Sequence, residues 1–326
     1  MDFFSDFVDQ FWAQTRNGLT LGSIYAMIAL GYTMVYGVLQ LINFAHSEVF
    51  MVSTFTTLFV YNEWFNVTEP AAGIALVLLI LAGLILAMIS SGLLAVLIER
   101  LAYRPLRKRN APRLSFLISA IGASLFIQYL FVLMDGQHSI WFIPLPNIAG
   151  SSPRPVATVM EGSTLFEFVG VAISNKRILV VLAAGVMLFV LDRFVRHTKF
   201  GRGIRAVAQD SEAASMMGVN IDRVVVVTFL VGGLMAGAAG FLYILVLDVP
   251  AFWFIGFVPG IKAFAAAVLG GIGNIRGAML GGLLLGLVEA YSVPIFGAEW
   301  VTVVAFAVLV LVLLIRPTGI LGEELG

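Results

Sequence analysis

Four uninterrupted apolar runs limit what this chain can fold into more than any other feature of its sequence. The runs cover residues 18–38, 71–98, 114–134 and 224–247. A helix needs about 20 apolar residues to cross the hydrocarbon core of a bilayer. The runs therefore predict membrane-spanning helices, and an all-α fold.

Shorter apolar runs raise the predicted number of crossings. They lie at residues 49–61, 178–191, 260–271, 278–290 and 301–315, and several are rich in glycine. Short glycine-rich runs in transporters often mark broken or re-entrant helices near the substrate path. We predict a single transmembrane domain over residues 1–326, with about nine transmembrane helices (eight to ten), some of them broken or short.

The composition excludes most other classes of protein. The chain is 60% hydrophobic and 12% charged, whereas soluble domains carry about 25% charged residues. It has no cysteine and three histidines, and it lacks a phosphate-binding P-loop motif and the common hydrolase motifs. We expect no enzymatic activity, catalytic residue, cofactor, metal site or nucleic-acid partner.

The distribution of basic residues predicts the orientation. Fourteen of the 19 lysines and arginines lie on one face, mostly in loops 100–113 and 193–223. Basic loops stay in the cytoplasm, so we predict the N-terminus outside and the C-terminus inside. Residues 1–17 then form an external amphipathic segment, which lacks the basic start of a signal peptide. Residues 135–177 form an external loop, and residues 192–223 a cytoplasmic loop.

The cytoplasmic loop contains the start of an EAA-x-x-x-G pattern. Glu212, Ala213, Ala214 and Gly218 have the order and spacing of a short helix ended by a glycine that permits a chain reversal. This pattern resembles the signature that permease subunits of ABC importers present to their ATPases. The full signature continues with a leucine-proline pair, which is missing around Thr228. An ordinary loop helix is the alternative.

Polar residues at the ends of two apolar runs are candidates for the translocation pathway or a gate. Asn43, His46 and Glu48 follow the first run, and Glu289 lies near the end of another. Ionisable groups beside a span are costly unless they face protein or a wet path. The alternatives are that Asn43 or Ser47 caps a helix, and that Glu289 is an interfacial carboxylate.

A stripe of small residues is predicted to pack helices together. Gly273, Gly277 and Gly281 recur at intervals of four residues, a spacing that permits close contact between helices in lipid. A helical break is the alternative. The stretch GGIGNIRG is not a phosphate-binding loop, since the G-x-G-x-x-G pattern breaks at Arg276.

Several stretches together resemble one family over nearly the whole chain. They are NGLTLGSIYAMIALGYTMVYG (17–37), INFAHSEVFM (42–51), IERLAYRPLR (98–107), LISAIGAS (117–124), GRGIRAVAQDSEAASMMGVNIDRV (201–224), KAFAAAVLGGIGNIRGAMLGG (262–282) and RPTGILG (316–322). The chain resembles the permease subunits of high-affinity branched-chain amino acid ABC importers. Ser47 stands where the family usually has the glycine of NFAHGE. Serine can replace that glycine only if the backbone at this position is not left-handed.

The resemblance implies a type II ABC importer-like permease in the bacterial cytoplasmic (inner) membrane. It would translocate branched-chain or related neutral amino acids inward. Its implied partners are a second homologous permease, two cytoplasmic ABC ATPases and an extracytoplasmic amino-acid-binding protein, with the lipid bilayer around it. Two alternatives are a urea or amide importer and an ion-coupled secondary transporter. The second is disfavoured because the long spans lack acidic or histidine relays.

Overall fold

Helices make up most of the protein, as the apolar runs predict. The computed structural model describes residues 2–134, 136, 139–140, 143–144, 149 and 151–322, with the backbone alone at 2–9, 139–140 and 143–144. The α-helices are α1 (Asp2–Leu39), α2 (His46–Leu58), α3 (Gly73–Ile98), α4 (Arg104–Lys108), α5 (Arg113–Leu133), α6 (Asn175–His197), α7 (Lys199–Gln209), α8 (Ser211–Met216), α9 (Ile221–Leu247), α10 (Phe257–Gly270), α11 (Ile275–Phe296) and α12 (Val301–Ile315).

Short irregular helices and hairpins complete these elements. Two π-helical turns, Phe59–Trp64 and Glu99–Tyr103, extend α2 and α3, and a 3₁₀ turn, Ala298–Trp300, precedes α12. Four strands form two antiparallel hairpins: β1 (Ser139–Ile140) pairs with β2 (Ile143–Pro144), and β3 (Thr164–Phe168) pairs with β4 (Val171–Ser174).

Seven helices within the described residues are long and apolar enough to cross a membrane, which confirms a polytopic helical protein. They are Gln10–Leu39, Gly73–Lys108, Arg113–Leu133, Asn175–His197, Ile221–Leu247, Ile275–Phe296 and Ala298–Ile315. Helices α2 and α10, at the predicted runs 49–61 and 260–271, have only 13 and 14 residues. The structure thus has seven full-length candidates where the sequence predicts about nine crossings.

Element boundaries differ from the prediction at three places. Helix α1 continues from Asp2 through Leu39 without a break, so residues 2–17 are not a separate element. The predicted cytoplasmic loop 192–223 begins inside α6 and ends inside α9. Within the predicted external loop 135–177, the described residues form the two hairpins and the start of α6.

The chain divides into two compact units. The first comprises the chain up to Thr33, Gly162–Asp192 and everything from Ile261 onward; the second comprises Met34–Glu161 and Arg193–Gly260.

In the first unit, glycines bring α1 and α11 into backbone contact. A Cβ on Gly22 would lie 2.8 Å from the Cα of Leu283, and one on Gly18 would lie 2.8 Å from the Cα of Leu287. The glycines facing them are Gly282 and Gly286 of α11. Helices can approach each other this closely in lipid only where the residues between them are small.

The end of the described chain folds back on α10 in the same unit. The backbone amide of Ile320 donates to the carbonyl of Leu269 (2.9 Å), and that of Leu321 donates to Gly270 (3.0 Å). The Asn274 side chain donates to the carbonyl of Leu321 (2.9 Å). The two backbone bonds satisfy carbonyls at the end of α10, where the last carbonyls of a helix have no partner within it.

In the second unit, α9 packs against both α3 and α2. A Cβ on Gly237 would lie 2.6 Å from the carbonyl oxygen of Ala87 in α3. On the α2 side, a Cβ on Gly240 would lie 2.7 Å from the carbonyl oxygen of Phe50. The Ser91 hydroxyl of α3 also donates to the carbonyl of Val49 (2.8 Å). Helix α2 is therefore enclosed although it is short.

We expect Gly237→Ala to lower the stability of the folded chain. One added methyl group would clash with backbone that cannot move aside, and overpacking of this kind costs about 1–3 kcal/mol. Gly122→Ala in α5 is the matched control, because its Cβ would meet nothing within 4 Å; it should be neutral or stabilising, since alanine favours a helix more than glycine. Thermal unfolding of both variants in detergent measures the difference, and equal midpoints would contradict this packing.

Candidate functional site

A buried carboxylate in the second unit lies at the start of α2. Glu48 is fully buried, and its Oε1 accepts hydrogen bonds from the hydroxyls of Ser47 (3.0 Å) and Ser124 (3.0 Å) and from Nε2 of Gln128 (2.8 Å). Ser124 and Gln128 are one turn apart on α5. All three donors are neutral, and Oε2 makes no hydrogen bond to any described residue. A carboxyl group held this way within apolar helices is costly.

Asn43 and His46 are buried near Glu48 in the sequence, at the connection into α2. The side-chain oxygen of Asn43 accepts a hydrogen bond from the Tyr103 hydroxyl (3.1 Å), at the end of the π turn after α3. This hydrogen bond links the segment before α2 to the π turn that follows α3.

The capping alternative does not hold. The residue before α2 is Ala45, and α2 has no side-chain capping bond. The Ser47 hydroxyl instead donates to the carbonyl of Phe44 (2.8 Å) and to Glu48. Ser47 lies in a right-handed helix, so this position does not need a left-handed glycine.

A second buried carboxylate lies in the first unit. Oε1 of Glu289 on α11 is 2.8 Å from Nζ of Lys262 on α10, and Oε2 accepts a hydrogen bond from the Tyr25 hydroxyl of α1 (2.9 Å). The Glu289 side chain is 3% exposed and that of Lys262 is 10% exposed. Glu289 is thus enclosed by protein and is not exposed to solvent. Buried ion pairs are weak evidence for stability, since desolvation offsets their attraction.

Sequence reasoning missed several partners of these two carboxylates. Lys262, Tyr25 and Gln128 are not among the candidate residues that the sequence indicates. The signal was present: Lys262 and Gln128 are lone polar residues within apolar runs. Single polar residues of this kind need partners in lipid, but the partners come from distant parts of the chain.

The EAA-like segment forms α8, a short helix in the second unit. Oδ1 of Asp210 accepts hydrogen bonds from the backbone amides of Glu212 (2.9 Å) and Ala213 (3.0 Å), and so caps the helix. Ala214 is buried, while Glu212 is exposed. Gly218, with φ +84°, follows the helix and reverses the chain.

Two methionines next to this reversal are unusually exposed. Met216 is 79% exposed and Met217 is 85% exposed. Glu212 is exposed as well, so one carboxylate and two flexible apolar side chains are accessible in α8 and at the residue directly after it. Methionine is common on surfaces that bind partner proteins, because it adapts its shape to them.

An ion-pair cluster fixes the chain directly after α8. Nη2 of Arg107 lies 2.6 Å from Oδ1 of Asp222, in the first turn of α9, and 2.9 Å from Oε1 of Glu99. Glu99 directly follows α3 and is fully buried. Arg104 adds a longer pair with Asp222 (3.4 Å). The cluster joins the start of α9 to the end of α3, and it was not predicted from the sequence.

The glycines of the predicted stripe have two different environments. A Cβ on Gly281 would lie 2.8 Å from the backbone nitrogen of Gly270, and Gly277 touches the carbonyl of the same residue. These two glycines lie where α10 and α11 meet. Gly273 lies in the turn before α11, with φ +95° and nothing within 4 Å of its Cβ position, so it serves the turn and not helix contact.

Comparisons with known proteins identify the family. Residues 14–313 match the family described as branched-chain amino acid transport system / permease component. The chain is 42% identical to LivH, a high-affinity branched-chain amino acid transport system permease protein of Salmonella typhimurium, over 96% of both chains. It is 41% identical to LivH of Escherichia coli strain K12 over 96% of both chains, and 42% identical to BraD, the permease protein of the same description in Pseudomonas aeruginosa, over 95% of both chains.

No solved structure matches the chain. The family match covers most of its length, and the permeases named above are similar to it almost from end to end. The chain belongs to the family of branched-chain amino acid transport system permease components.

Proposed function

We propose that this chain is the permease subunit of an ABC importer that carries branched-chain amino acids inward across the bacterial inner membrane. The observation that carries this proposal is the identity of 41–42% over nearly the full length to permeases named for this transport. The relatives do not support a urea or amide importer or an ion-coupled transporter.

The proposed complex contains a second homologous permease, two cytoplasmic ABC ATPases and an extracytoplasmic binding protein. The N-terminus lies outside and the C-terminus inside, because most basic residues then face the cytoplasm. Counting α2 with its π turn (19 residues from His46 to Trp64) and α10 as short crossings beside the seven long spans raises the number to nine.

Helix α8 is the proposed contact with the ATPase, through Glu212, Ala213, Ala214 and Gly218. Glu212 and Met216 of α8 and Met217 directly after it are exposed and accessible to a partner. The Arg107 cluster after it would carry movement of the loop into α3 and α9, because Arg107 bonds to residues of both segments.

Asn43, His46, Glu48 and Glu289 are the proposed pathway or gate residues. The buried carboxyl groups of Glu48 and Glu289 lie among apolar helices and cost stability, so a role in transport explains their presence better than packing does. A zwitterionic amino acid carries the same two charges as the Lys262–Glu289 pair. The pair would therefore open as substrate replaces each partner, and close again after release.

Charge reversal on α8 tests the ATPase contact. We expect Glu212→Arg to weaken co-purification of the ATPase with the tagged permease by at least about tenfold, as loss of a central interface residue does. Glu69→Arg reverses the charge of an exposed residue outside α8 and should leave the association unchanged. Equal recovery of the ATPase with both variants would refute the contact.

Paired substitutions separate a transport role of Lys262 and Glu289 from a structural one. Lys262→Met alone leaves a buried carboxylate uncompensated and should destabilise the chain by about 3–5 kcal/mol. Lys262→Met/Glu289→Gln removes both charges and should recover most of that stability. We expect this double variant, reconstituted in vesicles with its partners, to remain deficient in leucine uptake; full recovery of uptake would make the pair purely structural.

The orientation is testable because the chain has no cysteine. Single cysteines replace Ser151 in the predicted external loop and Ser215 in α8, both of which are exposed. A membrane-impermeant maleimide should label Ser151→Cys in intact cells, and Ser215→Cys only after permeabilisation. The opposite pattern would invert the proposed topology.

A further inference from the structure

An apolar cavity of about 330 Å³ lies in the first unit, away from both carboxylates in sequence. Its walls come from the first turns of the α1 span, the β3–β4 hairpin and the start of α6. The main apolar side chains of the walls are Trp12, Leu19, Phe166, Phe168, Ile178 and Leu182. Cavities of this size and lining hold ligands that are largely hydrocarbon.

The hairpin beside the cavity exposes large apolar side chains, whose contact with water is unfavourable. Leu165, Phe166, Phe168 and Val169 are each between 48% and 61% exposed, and Trp12 is 39% exposed. Aromatic residues concentrate where a membrane meets water, since their rings suit the headgroup region. The exposed apolar side chains of the hairpin therefore suit a position at the bilayer interface.

Two arginines, Arg16 and Arg177, lie at the cavity. Nη2 of Arg16 and Nη1 of Arg177 share one acceptor, Oδ1 of Asn17, at 3.3 and 2.6 Å. Arg16 also donates to the carbonyl of Ala172 (2.7 Å), and its buried Nε makes no hydrogen bond to a described residue. Among the side chains that the structure describes, no carboxylate pairs with either guanidinium. The two positive guanidinium groups repel each other, and the neutral amide that they share does not offset this repulsion. A bound anion would do so.

We propose that this cavity binds one anionic phospholipid, with an acyl chain between α1, α6 and the hairpin and the phosphate beside Arg16 and Arg177. The apolar walls suit the chain, and guanidinium groups bind phosphate oxygens through paired hydrogen bonds. Specificity for an anionic lipid follows from charge, because the choline of a zwitterionic lipid would bring a third cation to the two arginines.

The transported amino acid does not fit this cavity. Its ammonium group would need an acidic partner, and the described residues that line the cavity include no carboxylate. The lipid site is thus separate in chemistry from the proposed pathway residues, and it does not rest on their role in transport.

Native mass spectrometry of the full chain tests the proposal. The purified protein is mixed with phosphatidylglycerol or phosphatidylcholine of matched acyl chains in detergent. We expect one phosphatidylglycerol to stay bound at collision energies that release phosphatidylcholine. Arg16→Gln/Arg177→Gln should weaken phosphatidylglycerol binding about tenfold, since each basic residue near an anionic lipid contributes appreciably. Arg100→Gln/Arg109→Gln removes two exposed charges elsewhere and should leave it unchanged.

A variant that fills the cavity distinguishes binding at this site from nonspecific attraction between the arginines and an anionic lipid. Ile173→Trp occupies the cavity and keeps both arginines, so it should also lose the bound lipid. Equal retention of the two lipids by the natural chain would overturn the proposal, whether or not the arginine variant folds. So would unchanged binding in Ile173→Trp, or equal losses in the two arginine pairs.

Discussion

Close contact between helix backbones is the interaction on which the rest of the structure depends. In lipid, burial of apolar side chains from water does not drive helices together, so packing and hydrogen bonds must do so. Glycines of α9 let α3 and α2 approach within van der Waals distance, and glycines of α11 do the same for α1 and α10. A short helix such as α2 is held because longer helices enclose it.

The same enclosure makes polar residues possible inside the protein. Glu48 is surrounded by three neutral donors from its own helix and α5, whereas Glu289 is paired with Lys262 and Tyr25 from two other helices. The two carboxylates therefore differ in kind. One has an unsatisfied oxygen and no countercharge among the described residues, and the other is neutralised. Only the second offers a charge pair that a zwitterionic solute could replace.

Helix α8 and the Arg107 cluster connect an exposed loop with the buried core of the second unit. Asp210 and Gly218 set where α8 begins and where the chain turns back. Four residues after Gly218, Asp222 binds Arg107, which in turn binds the buried Glu99. The exposed carboxylate of the EAA-like pattern and the packed helices are thus joined by a short series of strong contacts. This arrangement supports the proposal that α8 contacts an ATPase.

The sequence by itself determined that the chain is a helical membrane protein, which stretches are apolar, and which family it belongs to, because those properties depend on local composition and motifs. It also identified Gly218 as the residue at which the chain reverses. It did not show that α1 is continuous, that Gly273 serves a turn, or that Lys262 neutralises Glu289. Only the tertiary structure decided these, because partners such as Tyr25 and Glu289 are hundreds of residues apart and meet only when helices cross.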